Sequence, residues 1–107
     1  MSATSPLFRA VQHHSVLYLI GELDLAGADA ARDAILSAEY TPVVVDLSRL
    51  QFIDVIGARA VFQAHRSLNS KGRPVVIRGA RGLVRRVFQL LEMDFILCPL
   101  DDETLFP

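Results

Sequence analysis

The sequence predicts an α/β fold: a single mixed, mostly parallel sheet with crossover helices, in the order ββαβαβαβ. Three observations predict it. Short β-branched runs alternate with segments of helical period, the pattern of parallel strands joined by right-handed crossovers. Two apolar runs open the chain with only His13, His14 and Ser15 between them, the spacing of a hairpin. The chain has 107 residues, 51% of them hydrophobic and 21% charged, which suits one domain with one core.

The elements follow in order. Residues 1–6 are expected to be a flexible terminus of this single domain, residues 1–107. Residues 7–12 and 16–23 are the hairpin strands, and the second, VLYLIGEL, is so continuously apolar that it belongs inside the sheet. From Asp24 the period changes: Ala28, Ala31, Ile35 and Ala38 recur at helical spacing, and Thr41 with Pro42 ends that helix. Val43 to Leu47 is a strand, Ser48 to Gln51 a brief polar turn, and Phe52 and Ile53 re-enter an apolar environment. Asp54 stands where a helix N-cap belongs. The helix after it carries Gly57, Val61, Ala64 and Leu68 as one stripe with Phe62 beside it, and Gly72 suits the left-handed cap that closes it. Residues 74–77 form another strand. A helix from Ala80 to about Glu92 is expected to bury Leu83, Val84, Val87, Phe88, Leu90 and Leu91 and to expose Arg81, Arg85, Arg86 and Gln89. Residues 95–98 are the last strand, and 101–106 a terminal turn.

Composition excludes several classes. No apolar run approaches the roughly 18–20 residues of a membrane span, so no membrane insertion is expected. Residues 1–6 have neither the basic flank nor the apolar stretch of a secretion signal, and Cys98 is the one cysteine, so no internal disulfide forms; both fit a cytoplasmic protein. Charge is uneven along the chain: residues 49–91 hold nine bases against Asp54 alone, between two acidic blocks. Such blocks interleave on folding, and no direct nucleic-acid contact is expected.

Catalytic signatures are missing. There is no G-x-S-x-G elbow, no H-E-x-x-H and no C-x-x-C, and His13, His14 and His65 have no ligand-spaced partners. His13 and His14 read as turn residues, His65 as a boundary position and Cys98 as an inert core thiol. The expectation is a protein with no enzymatic activity, no cofactor and no metal. A weak candidate for anion binding is Gly79, Arg81 and Gly82 with Arg85, glycine-rich backbone at a helix start beside guanidinium groups. It lacks the Lys-Ser/Thr of a P-loop, and the plainer reading is a turn with a solvated basic face.

The stretch from Val43 to Gly57 is the more informative one. A strand delivers, through Asp54, a capped helix N-terminus whose first turn holds two β-branched apolar residues, Val55 and Ile56. Polar residues are commoner there. The pair either forms an exposed contact or turns into the core.

Asp54-Val55-Ile56-Gly57 resembles, in position and context, the D-S-S-G or D-S-T-G signature of the STAS domain, the module of sulfate transporters and anti-sigma factor antagonists. Gly21-Glu22-Leu23-Asp24 resembles the G-E-L-D that closes the family's second strand, and Val43 to Asp54 its strand, D-L-S and F-I-D segment. Ala64-His65-Arg66 with Gly72, and residues 84–91, resemble its second and third helices. Together these motifs span nearly the whole chain in the family's order.

The resemblance implies a cytoplasmic protein-binding module that regulates transcription by partner switching. Its partner would be an anti-sigma factor or serine kinase of the histidine-kinase-like ATPase type. Partner-binding residues would be Asp24, Asp54, Val55, Ile56, Gly57 and Arg59. Family members are switched by phosphorylating the residue before the signature glycine, where about −1.5 to −2 charges enter a packed contact. That residue here is Ile56, so no phosphorylation is expected at the signature; Ser48 and Ser67, the nearest hydroxyls, lie outside it. Glu92-Met93-Asp94 also replaces a glycine that members often carry after the third helix. Two alternatives remain within the resemblance: a small STAS subunit docking on the ATPase of a lipid-transport ABC complex, and a nucleotide-binding STAS domain using residues 79–86.

Overall fold

A computed structural model describes residues 7–99. Strands β1 (Phe8–His13) and β2 (Val16–Leu23) form the hairpin, and His14 in its turn takes φ +52°. Helix α1 (Leu25–Leu36), strand β3 (Val43–Ile53), helix α2 (Val55–Ser70), strand β4 (Val75–Arg78) and helix α3 (Gly82–Leu90) follow. A 3₁₀ turn, Asp94–Ile96, comes last. The sheet order is β1-β2-β3-β4, with β1 antiparallel to β2 and the other two pairs parallel. Hence the expected α/β class, and β2 inside the sheet, are what the chain adopts.

The core gathers one alternate set of strand residues (Leu17, Leu19, Leu23, Val43, Val45, Leu47, Ile77) under Ala31, Ile35, Val61, Leu68 and Phe88 of the helices. Small residues bring α1 and α2 close: Ala28, Ala31, Ala58, Ala60 and Ala64 are all buried. The opposite set of strand residues, Tyr18, Ile20, Val44 and Val76, is only half-buried. Gly72 takes φ +74° just past α2, the left-handed conformation expected there.

Five expectations are corrected. The polar residues 48–51 are not a turn: β3 runs unbroken from Val43 to Ile53. Two irregularities in its register with β2 let Leu50 point inward while Ser48, Arg49 and Gln51 stay exposed, and Arg49 lies over the Tyr18 ring at 4.7 Å. Helix α1 stops at Leu36, well before Thr41. Its cap is Ser37, whose N–H donates to Asp33 O, and Arg73 then donates to the carbonyls of Ala38 and Tyr40 to hold the departing chain. On α3, Leu83 and Leu90 are exposed (76% and 67%), because only Val84 and Phe88 face the core squarely; Val87 and Leu91 lie at its edge. The last strand does not form. Ile96 and Leu97 reach the core from the 3₁₀ turn, leaving a single bridge between Ile77 and Leu97. Cys98, placed beyond that bridge, is consequently half-exposed rather than a core thiol. The expected terminal elements, 1–6 and 101–106, lie outside the described residues.

Candidate functional site

Parallel pairing puts Leu23 of β2 beside Ile53 of β3, so the two strands end level and α1 and α2 start side by side. Each start has the same construction. Asp24 Oδ1 accepts from Ala26 N at 3.0 Å, and Asp54 Oδ1 from Gly57 N at 2.7 Å. Both carboxylates thereby satisfy orphan donors and sit at the positive end of a helix dipole. Asp54 N also donates to Leu23 O at 3.1 Å, tying the second start to the first. Gly57 is required by this closeness: a Cβ there would run into Leu23 O and Leu23 Cγ.

What the two starts present is apolar. Val55 and Ile56 are 41% and 39% exposed, so the alternative in which both turn into the core does not hold. Buried Gly57 and Ala58, the next two residues, take the inward positions instead. Leu25, the first residue of α1, is 72% exposed at the neighbouring helix start, and Phe52 is exposed just before the second cap. Arg59 lies exposed on the following turn of α2. The structure thus brings together Asp24, Asp54, Val55, Ile56, Gly57 and Arg59. It adds Leu25, which the sequence reading passed over although Asp24-Leu25 repeats the acid-then-apolar step of Asp54-Val55.

Gly79, Arg81, Gly82 and Arg85 lie elsewhere, at the end of β4 and the start of α3. Arg85 donates from Nε to Ala80 O at 2.7 Å and from Nη2 to Cys98 O at 3.0 Å, which commits its guanidinium to holding α3 against the segment after it. Gly79 packs on Ser48, and a Cβ there would sit 3.2 Å from Asp46 Oδ1. Arg81 makes no side-chain cap to the helix it precedes.

Asp46 and Arg78 were also missed. They pair across β3 and β4, with Arg78 Nε donating to Asp46 Oδ2 at 2.8 Å, and both residues are buried. Asp46 Oδ1 accepts from Ser48 N at 2.8 Å and from Ser48 Oγ at 2.5 Å. Burial by itself would raise the Asp46 pKa, but the hydrogen bonds from Ser48 and Arg78 outweigh it and hold it below its ordinary value. The signal for the pair was an acid inside one β-branched run and a base at the end of the next. Among the described residues no cluster could hold a metal ion, and no helix is long and apolar enough to cross a membrane.

The family model described as "Mlab, STAS domain" matches residues 7–99. Among solved structures, an anti-sigma factor antagonist from Mycobacterium paratuberculosis is similar, with 26% identity, a TM-score of 0.71, and coverage of 95% of this chain and 96% of that one. The anti-sigma factor antagonist SpoIIAA in its unphosphorylated form follows at 24% identity and a TM-score of 0.67, covering 92% of each chain. The Bacillus cell fate determinant SpoIIAA in its phosphorylated form gives 21% identity and a TM-score of 0.60, covering 92% of this chain and 96% of that one. No curated protein sequence matches.

Proposed function

The chain belongs to the STAS-domain family, and from that premise we propose that it acts as an antagonist-type docking module whose binding surface is fixed rather than switched. The observation that carries this reading is the exposed trio Leu25, Val55 and Ile56 at two capped helix starts. Apolar side chains held at a rigid, hydrogen-bonded position cost little ordering when a partner covers them. With 41% and 39% of their surface still exposed, Val55 and Ile56 contribute roughly 1 kcal/mol each when a partner covers them, and the more exposed Leu25 up to about 2 kcal/mol. With Ile56 and Val55 at the signature, the proposed module has no hydroxyl there to accept a phosphate. Its partner is an anti-sigma factor or serine kinase of the ATPase type, and release depends on partner concentration or on the partner's own state.

The test is capture of candidate anti-sigma kinases by wild type, Ile56→Ser and Ile56→Asp. Ile56→Ser should retain most capture, while Ile56→Asp, which puts a charge into the packed contact, should weaken it by about tenfold or more. Equal capture by all three would move the interface elsewhere. A second reading, which rests on the resemblance to small STAS subunits of lipid-transport complexes, is docking of the same patch on an ABC ATPase. Co-purification with an ABC ATPase, and none with a kinase, would select it.

A further inference from the structure

The described chain ends beside a basic corner. From Arg78 to Leu91 the sequence carries Arg78, Arg81, Arg85 and Arg86 and no acid. Asp46 balances the charge of Arg78, whereas Arg85 is held by two carbonyls, which carry no formal charge. Arg81, just before α3, and Arg86, within it, are exposed. Positive charge therefore accumulates where β4 passes into α3.

The chain arrives there from the outer side of β4. Leu97 pairs in parallel with Ile77, and Cys98 N donates to Ile77 O at 2.7 Å, so the backbone runs in the direction of β4, towards Gly79 and the start of α3. Cys98 O accepts from Arg85 Nη2 at 3.0 Å, which leaves Pro99 next to that guanidinium. Arg81 is one helical turn before Arg85, and Arg86 follows it directly. The sequence after Pro99 is LDDETLFP, with three acids and no base. At no more than about 3.6 Å per residue, Asp101, Asp102 and Glu103 can reach roughly 7–15 Å from Pro99, a span that takes in all three arginines.

We propose that Asp101, Asp102 and Glu103 dock on the Arg81–Arg86 corner as a tethered anion. Two things support this occupant over one from outside. The charges are complementary within one chain, and the described residues end at the edge of the corner, pointing into it. A tether this short gives the carboxylates an effective concentration in the millimolar range, which a dissolved phosphate must exceed to displace them. The corner is thus an anion site filled from its own chain. The surface at Leu25, Val55 and Ile56 belongs to the other two helix starts and takes no part.

A disulfide assay tests this with every charge in place. In a Cys98→Ser background, Leu83→Cys sets a thiol on the exposed face of α3 between Arg81 and Arg86, and Thr104→Cys sets one just past the acids. At low micromolar concentration the pair should oxidise within one chain. About 1 M sodium chloride, with a screening length near 3 Å, should slow that oxidation about fivefold or more. Asp101→Asn, Asp102→Asn and Glu103→Gln together should slow it as much. Reversal of both sides, Arg81→Glu and Arg86→Glu with lysine at 101, 102 and 103, should restore it. Inorganic phosphate should compete, slowing the wild-type charges more than chloride does at equal ionic strength. A rate indifferent to salt or to loss of the acids, no rescue by reversal, phosphate no stronger than chloride, or a disulfide that joins two chains would each overturn the proposal.

Discussion

Asp46 divides its carboxylate between two strands, one oxygen taking both donors of Ser48 and the other the Arg78 guanidinium. Asp46→Asn would leave Arg78 buried beside a neutral amide. It is expected to cost about 3 kcal/mol in urea unfolding at neutral pH, the lower end for breaking a buried pair. The folded-state pKa of Asp46 lies below its ordinary 3.8, so the stability it contributes is complete above that value and is lost as pH falls through the depressed native one. Unfolding below pH 3.8 should therefore be steeper in wild type than in Asp46→Asn. Ile56 illustrates the opposite case, a residue with 39% of its surface left exposed by the fold: that part contributes nothing until a partner covers it.

Helix ends decide much at the scale of elements. Helix α3 closes with Glu92 at φ +58°, Glu92 N donating to Gln89 O and Met93 N to Phe88 O at 2.8 Å. This is the Schellman arrangement, and its left-handed position ordinarily belongs to glycine. Glu92 opens the Glu92-Met93-Asp94 stretch, and it takes the left-handed conformation without being a glycine. An L-residue there costs about 1–2 kcal/mol, partly offset by the chain entropy that glycine would lose. Glu92→Gly is thus expected to stabilise the protein by about 0.5–1 kcal/mol, read as a rise in the urea midpoint at constant slope. The N-terminal ends of α1 and α2 show the same economy in reverse: one aspartate each fixes the start, and the residue after it is left for contact.

For the whole molecule, acid sensitivity should come in two stages. His65 on α2 is half-buried, and burial lowers its pKa below 6.5. The unfolded chain takes up a proton below that value which the native state resists. Stability is therefore complete above pH 6.5 and falls as pH drops towards the depressed native pKa, before Asp46 enters. Urea midpoints measured on either side of pH 6.5 should differ in wild type and coincide more closely in His65→Gln. The fold tolerates this because one continuous core, from Phe8 to Leu97, joins all three helices to the sheet.

Local patterns in the chain are enough for the class of the fold, for the order of its elements as far as α3, and for the line Asp54-Val55-Ile56-Gly57 as its point of interest. These are local matters: period, caps and turn residues act within a few positions of one another. The sequence by itself misjudged residues 48–51, the burial of Leu83 and Leu90, and the last strand, since each depends on what lies alongside. Polar residues continue a strand when a neighbouring strand takes their backbone, and a helix stripe is buried only as far as its neighbours reach. Tertiary structure alone made the starts of α1 and α2, with Leu25 on one and Val55 and Ile56 on the other, neighbours, paired Asp46 with Arg78 over a separation of 32 residues, and occupied Arg85 with the carbonyls of Ala80 and Cys98. The parallel pairing of Leu23 with Ile53 is the reason for the first: it levels two strand ends, and two short apolar steps far apart in sequence become one surface.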